Sequence, residues 1–433
     1  MRTVREFADA CWRGEVRMGR DQETVDVGQP GGKSTHGQVC EGVLVSTGLA
    51  NAYAVDTGDG LVLLDTGHAR EADTLYARVR EWRPHAPLRA AVYSHHHVDH
   101  VFGVAVFDTE AAERGHPAPT VHAHADVPGH FRRYQRTLGL NTALNRRQFG
   151  IDAPGFRWPD QYRHPDVTYR DRAAFRHGGL TFELHHARGE TDDATWTWIP
   201  ELSALHTGDL FIWAVPNAGN PQKVQRYAGE WAAALREMAD LGAELLLPGH
   251  GPPVYGAQRV RAACTDTAEF LEDLESRTLA LMNEGHPLDT VLHEVTVPEH
   301  LADRPYLQPI YDHPQFLVRN IWRNYGGWYD GEPDNLLPAP RSDQASEWVA
   351  LAGGVPLVLD RAADLHNTGR SRLACHLVEY AVRAEPESRA AHELRARIYA
   401  ERAADEPSFM VRNILDHAAR SSRAGVRDLA SRS

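Results

Sequence analysis

The stretch Ser94-His95-His96-His97-Val98-Asp99-His100 follows directly on the apolar run Ala90-Ala91-Val92-Tyr93, and its reading decides the rest of the chain. His95, His97 and His100 with Asp99 cannot be buried together unless a cation or hydrogen bonds offset the cost of desolvating them. In a tight turn after a strand, His95 and His97 point to one side, while Asp99 and His100 are offset toward a neighbouring point. That spacing predicts two adjacent metal positions. Imidazole mixed with carboxylate suits zinc, manganese or iron; calcium and magnesium take all-oxygen shells. A histidine-rich surface loop is the competing interpretation, so the flanking segments must discriminate.

Those segments read as strands ending in polar turns. Val43–Ser46, Asn51–Asp56 and Leu61–Leu64 form strands, the last two joined by an Asp59-Gly60 hairpin turn. Asp65-Thr66-Gly67 follows, and two roles stay open for Asp65: accepting a hydrogen bond from a ligand histidine, or capping the helix predicted over residues 69–82. A helix is expected to begin near Val101-Phe102-Gly103 with its N-terminus toward the histidine turn. Val121–His124 reads as a strand carrying His122 and His124 on one face, candidate ligands of lower rank. Further strands are predicted over residues 180–186, 194–199, 202–211 and 245–251, and they end near Glu190, Asp209 and His250. One such acid would be a cap; acids and histidines recurring at successive strand ends read as ligands. Trp196, Trp198, Phe211, Trp213 and Trp231 either wall an apolar pocket or fill the core.

With 433 residues the chain is too long for one ordinary core, which predicts two or three domains. A net charge of −13 argues against nucleic acid, whose binders concentrate Lys and Arg. No apolar run approaches a membrane span, and the start is charged, so a cytoplasmic location with no membrane partner is expected. Cys11, Cys40, Cys264 and Cys375 form no Cys-x-x-Cys pair and read as reduced thiols.

His95-x-His97-x-Asp99-His100, Gly189-Glu190, Thr207-Gly208-Asp209 and Pro248-Gly249-His250-Gly251 together resemble the metallo-β-lactamase superfamily, from about Val43 to Tyr255. Glutamate at the third motif, where most members carry histidine, is similar to the alkylsulfatase branch. Tyr325–Glu332 and Leu351–Gly354 resemble the segment that leads into the alkylsulfatase dimerisation domain. The resemblance implies an α/β fold, an αβ/βα metallo-β-lactamase sandwich followed by an α-helical dimerisation domain. The expected domains are an N-terminal extension (1–42), the catalytic sandwich (43–258), a helical connector and pocket segment (259–340) and the helical dimerisation domain (341–433). It assigns His95, His97 and Glu190 to one metal, Asp99, His100 and His250 to the other, and Asp209 to both, with Asp99 and Asp209 in the catalytic role. His186 is the alternative third ligand. The cofactor implied is two Zn2+ per chain, with manganese or iron also compatible.

The substrate side departs from that branch. Pro216 stands where the branch has histidine, Asn217 is kept, and no arginine occupies the expected place. Lys223 substitutes as a charge without a bidentate fork, and Arg146 and Arg147 are further anion readers. Tyr311 resembles a pocket tyrosine. The expected activity is hydrolysis of a sulfate ester of a small to medium organic group by a metal-bridging water. The alternative on the same centre is a carboxylic ester, lactone or thioester. The helix faces around Leu365, Leu373, Leu377, Val382, Leu394, Ile398 and Tyr399 need burial against each other or a partner chain, and together with the resemblance to the dimerisation domain they imply a homodimer.

Overall fold

Apolar residues in consecutive strand positions point to opposite faces, and the run Leu61–Leu64 shows the consequence. Leu61 and Leu63 join one core with helices, whereas Val62 and Leu64 join another with a facing sheet. The strand is therefore covered on both sides, which is why it reads as a continuous hydrophobic run with no alternation. The computed structural model describes residues 2–18, 36–153 and 155–429. The Gly-rich stretch at residues 28–33 lies outside them.

The strands form two sheets. The first holds β1 (His36–Cys40), β2 (Val43–Thr47), β3 (Asn51–Asp56), β4 (Leu61–Leu64), β5 (Leu88–Val92), β6 (Thr120–His124) and β7 (Val167–Tyr169), in that spatial order. The second holds β8 (Arg172–His177), β9 (Leu180–Ala187), β10 (Ala194–Ile199), β11 (Ala204–Ile212), β12 (Leu245–His250) and β13 (Val254–Tyr255), in the order β13-β12-β11-β10-β9-β8. β3 and β4 are antiparallel with Val55 opposite Val62, as the Asp59-Gly60 turn requires. β4, β5 and β6 run parallel.

Helices cover the outer faces. α1 (Val4–Trp12) opens the chain on a capping box from Thr3 and Glu6. α2 (Ala72–Trp82), α3 (Val104–Arg114) and α4 (Val127–Arg136) pack Leu75, Val79, Val104, Phe107, Val127 and Phe131 against the first sheet. Then come α5 (Leu138–Gln148), α6 (Ala228–Asp240), α7 (Ala257–Asn283), α8 (Leu288–Glu294) and α9 (Pro314–Gly326). α6, α7 and α9 pack against the second sheet. Val43, Val45, Tyr53 and Val92 meet Phe182, Leu184, Ile199 and Leu247 between the sheets. The result is the four-layer αβ/βα arrangement. Trp196, Phe211, Trp213 and Trp231 are fully buried core residues and Trp198 packs against them, so none of the five walls a pocket.

The chain divides into two compact units, residues 1–137 with 159–328, and residues 138–158 with 329–433. The second is helical: α10 (Arg341–Leu351), α11 (Val355–Asn367), α12 (Ser371–Ala384), α13 (Arg389–Asp405) and α14 (Phe409–Arg423), joined by α5. Leu365, Val378, Val382 and Ile398 are buried there, but Leu373 is exposed. Among the described residues no helix is long and apolar enough to cross a membrane.

Candidate metal centre

The donors sit at or close to the ends of strands, with Asp209 inside the last stretch of its strand. β5 delivers Ser94–His100, β9 and β10 flank Glu190, β11 carries Asp209, and β12 ends at His250. Asn51 donates from its side-chain amide to the carbonyls of Pro248 (2.9 Å) and Gly251 (2.8 Å), and the Tyr53 hydroxyl donates to Pro248 (2.9 Å), so β3 fixes the His250 turn. Glycine is required at 249 because a Cβ there would lie 2.1 Å from Asp209 Oδ1. Turn and acid share one space, and no larger residue fits.

Two donor groups result. His95, His97, Glu190 and Asp209 offer atoms that all lie within 4.8 Å of one another, and so do Asp99, His100 and His250. Asp209 reaches both: its carboxylate is 3.8 Å from His95 Nε2, 3.4 Å from His100 Nε2 and 3.4 Å from His250 Nε2. Asp99 lies 3.6 Å from His250 and 3.8 Å from His100. Asp65 takes the ligand-orienting role: its carboxylate is 2.7 Å from His100 Nδ1 and accepts from the Ser94 N–H (2.7 Å) and hydroxyl (2.8 Å). α2 has no side-chain cap. With Asp65 on Nδ1, the ring is held so that His100 Nε2 faces Asp209 and Asp99.

Electrostatics follow from burial. Against the cost of burial, Asp209, Asp65 and Asp99 push the His100 imidazole well above its ordinary value. Burial pulls His97 well down, and His95 and His96 add to it. Burial raises the Glu190 carboxyl, with Asp209 adding to the rise and Arg226 opposing it. Arg226 is itself buried and holds Glu190 through an ion pair at 2.7 Å and a bond to the Glu190 carbonyl at 2.8 Å. Asn217 donates to the same carboxylate.

The donor set fits a pair of cations on grounds internal to the structure. His100 Nε2, Glu190 Oε2, Asp209 Oδ1 and Asn217 Oδ1 are buried with no hydrogen-bond partner, and all four belong to this cluster. Orphaned buried acceptors are rare in native proteins and need a partner such as an ion. His95 Nε2 and His97 Nδ1 lie 2.9 Å apart, facing one another.

The remaining predicted residues separate. Arg146 and Arg147 end α5, which belongs to the helical unit, and Arg147 pairs with Asp428 at 3.4 Å. Lys223 is half-buried, and loss of solvation with the nearby Arg226 pushes its amine down to about 8. Tyr311 is half-buried beside Asp312, whose carboxylate accepts from the Gly219 N–H at 3.0 Å and so anchors the Asn217 loop. A Cβ on Gly219 would come within 2.1 Å of the Phe316 backbone. His122 stacks on Phe175 at 4.3 Å, and His124 stacks on His186 at 4.0 Å. His186 Nδ1 faces the Ala194 carbonyl at 3.0 Å, and the ring is in neither donor group.

Sequence reasoning missed Arg226, Asp193 and Asp312. Arg226 stands in Gln225-Arg226-Tyr227, a context that reads as ordinary surface, and only the fold turns it toward Glu190.

With this geometry in view, comparison with known proteins is specific. Residues 45–250 match the model of the metallo-beta-lactamase superfamily, and residues 288–425 match that of alkyl sulfatase dimerisation. The chain is 26% identical over 364 residues to a linear primary-alkylsulfatase of Pseudomonas sp., covering 80% of this chain and 69% of the relative. It is 29% identical over 380 residues to an (R)-specific secondary-alkylsulfatase of Pseudomonas sp., covering 80% and 56%. The solved structure of the stereoselective inverting sec-alkylsulfatase Pisa1 from Pseudomonas sp. superposes with a TM-score of 0.83 at 25% identity, over 91% of this chain and 66% of that one. The chain thus spans 56% to 69% of the length of these relatives. Two family models in succession, on a fold shared with a secondary alkylsulfatase, identify residues 45–250 as a metallo-beta-lactamase superfamily domain and residues 288–425 as an alkyl sulfatase dimerisation domain.

Proposed function

We propose that this protein is a dinuclear zinc hydrolase that cleaves a sulfate ester of a small to medium organic group. The observation that carries it is Asp209, a single carboxylate placed between two groups of imidazole and carboxylate donors whose buried atoms lack partners. His95, His97 and Glu190 would hold one ion, Asp99, His100 and His250 the other, and Asp209 both. When bound, such a pair supplies hydroxide near neutral pH and offsets charge developing on the substrate oxygens. Asp65 and Ser94 orient His100 and His95, and Arg226 with Asn217 orients Glu190. Relatives that carry alkylsulfatase names support sulfate over other esters.

Elemental analysis followed by sulfate-release and ester-hydrolysis assays on one preparation tests this. The expected result is about two zinc per chain, on the donor count of a dinuclear site, with sulfate released from alkyl sulfates. Ester turnover without sulfate would replace the substrate class while leaving the centre. Chelation is expected to abolish turnover reversibly, with zinc restoring it; activity surviving complete metal removal would refute the metal reading.

A homodimer formed through the helical unit is part of the same proposal. Trp348, Leu351 and Leu357 are each more than half exposed in α10 and α11, an apolar surface that a second copy would cover. Sedimentation at micromolar concentration should give twice the chain mass, and Leu351→Glu should shift it to the monomer. A wild-type monomer sinks the idea. Cys40, Cys264 and Cys375 stand as thiols, in keeping with a reducing cytoplasm.

A further inference from the structure

His96 lies between two proposed ligands yet joins neither donor group with them, because alternate side chains of the turn point apart. Its ring is buried and fully engaged. Arg133 on α4 donates from its guanidinium to Nε2 at 3.1 Å. A nitrogen that accepts from a cation carries no proton, so the ring proton sits on Nδ1 and is donated to Asp193, whose oxygens lie at 2.8 and 2.9 Å. His130 stacks on the ring at 4.1 Å and is tied to Asp192 at 2.7 Å, while Tyr134 meets it edge-on at 5.2 Å. The imidazole has no room to turn. His96, His130 and Asp193 have the spacing of a third metal group, but a guanidinium on the first ring's remaining nitrogen excludes a cation there.

The arrangement makes more sense from the side of Arg133. It is half-buried, it forms no ion pair with a carboxylate among the described residues, and the bond to His96 uses one of five guanidinium donors. Arg226, by contrast, is neutralised by Glu190. The His96 ring meets that of His97, a proposed ligand, edge-on at 4.9 Å, so the Arg133 guanidinium bonded to His96 is held one ring away from the donor cluster.

We propose that Arg133 reads the charged head of the substrate, and that the Asp193–His96 pair is the positioning device that holds its guanidinium beside the metal centre. This rests on the sulfate-ester reading. The chemistry fits: a planar fork with unused N–H groups matches a tetrahedral oxyanion, and an orienting pair keeps it from collapsing onto Glu190 or Asp99. It also supplies the bidentate anion reader whose place in the Pro216–Lys223 segment is empty.

The test is calorimetric binding of 1-octanesulfonate, which cannot be hydrolysed, to zinc-loaded full-length protein, beside sulfate release from an alkyl sulfate. Arg133→Met is expected to weaken sulfonate binding about 10- to 100-fold, the range for hydrogen bonds to a charged group. Arg133→Lys should fall between. Asp193→Asn and His96→Ala should raise KM with kcat and zinc content little changed, and His96→Gln, which can still accept from Arg133 and donate to Asp193, should recover most of the loss. Sulfonate bound equally by wild type and Arg133→Met, with sulfate release intact in the wild type, overturns this proposal alone. A wild type that neither binds sulfonate nor releases sulfate overturns the sulfate reading with it. If Arg133→Met loses zinc or its melting transition, Arg133→Lys decides, and wild-type affinity there counts against the assignment.

Discussion

Asp209→Ala is expected to abolish turnover, by about three orders of magnitude or more. Among the described residues Asp209 is the carboxylate within 4 Å of His95, His100 and His250 alike, so its loss removes the contact that makes two donor groups into one centre. Several kcal/mol of transition-state stabilisation depend on a pair of ions acting together, and each 1.36 kcal/mol is a factor of ten. Metal content by elemental analysis should fall from two to one or fewer per chain. The conservative Asp209→Asn keeps the volume and one acceptor and should fail nearly as badly, since the negative charge that reaches His95, His100 and His250 alike is gone. Turnover within tenfold of wild type in both variants would mean that chemistry occurs on one ion or elsewhere.

The second large effect is expected at Arg226, and it is a stability effect. Arg226→Met strands the Glu190 carboxylate in a buried site whose charge it had balanced at 2.7 Å. Removing one partner of a buried ion pair costs up to about 3–5 kcal/mol when the other charge stays behind, and proton uptake by the Glu190 carboxyl, already raised by burial, sets how much of that is reached. In the metal-free protein that should lower the melting temperature by on the order of 10 °C for a unit of this size. Adding zinc should recover much of the difference, since a cation on Glu190 replaces the missing guanidinium. The double variant Arg226→Met with Glu190→Gln should melt near the wild type when metal-free, the neutral amide having no charge to strand. If the single variant melts with the wild type, Glu190 is protonated in the metal-free state and the pair contributes nothing.

How much of this was legible depends on how locally each feature is encoded. Leu61–Leu64 and Ala90–Tyr93 declare themselves as buried strands because four adjacent apolar residues need cover on both faces. The histidine turn is legible because its donors lie within six positions of one another. Asp65 was half legible: its place after a strand admitted two roles, and only the 2.7 Å approach of His100 Nδ1 chooses between them. β8 escaped notice because Arg172, Arg176 and His177 break its apolar pattern at the sheet edge. The long cations were the least legible. A guanidinium reaches far from its backbone, so Arg133, Arg226 and Lys223, drawn from two separate stretches of chain, converge only through tertiary structure. Arg146 and Arg147, adjacent and prominent in the sequence, belong instead to a helix of the second unit.

Gly219 has no room for a side chain because the start of α9 lies against it, and Asp312 ties it down from the same side. The loop that presents Asn217 and Lys223 and the segment some ninety residues later are therefore one inherited cassette. A fragment ending at residue 258 keeps every proposed metal ligand and still loses the brace on its substrate loop. Swapping that loop between relatives to change selectivity should fail unless residues 309–318 travel with it. A change of selectivity at this site is then expected to need compensating substitutions in two segments far apart in the chain, not in either alone.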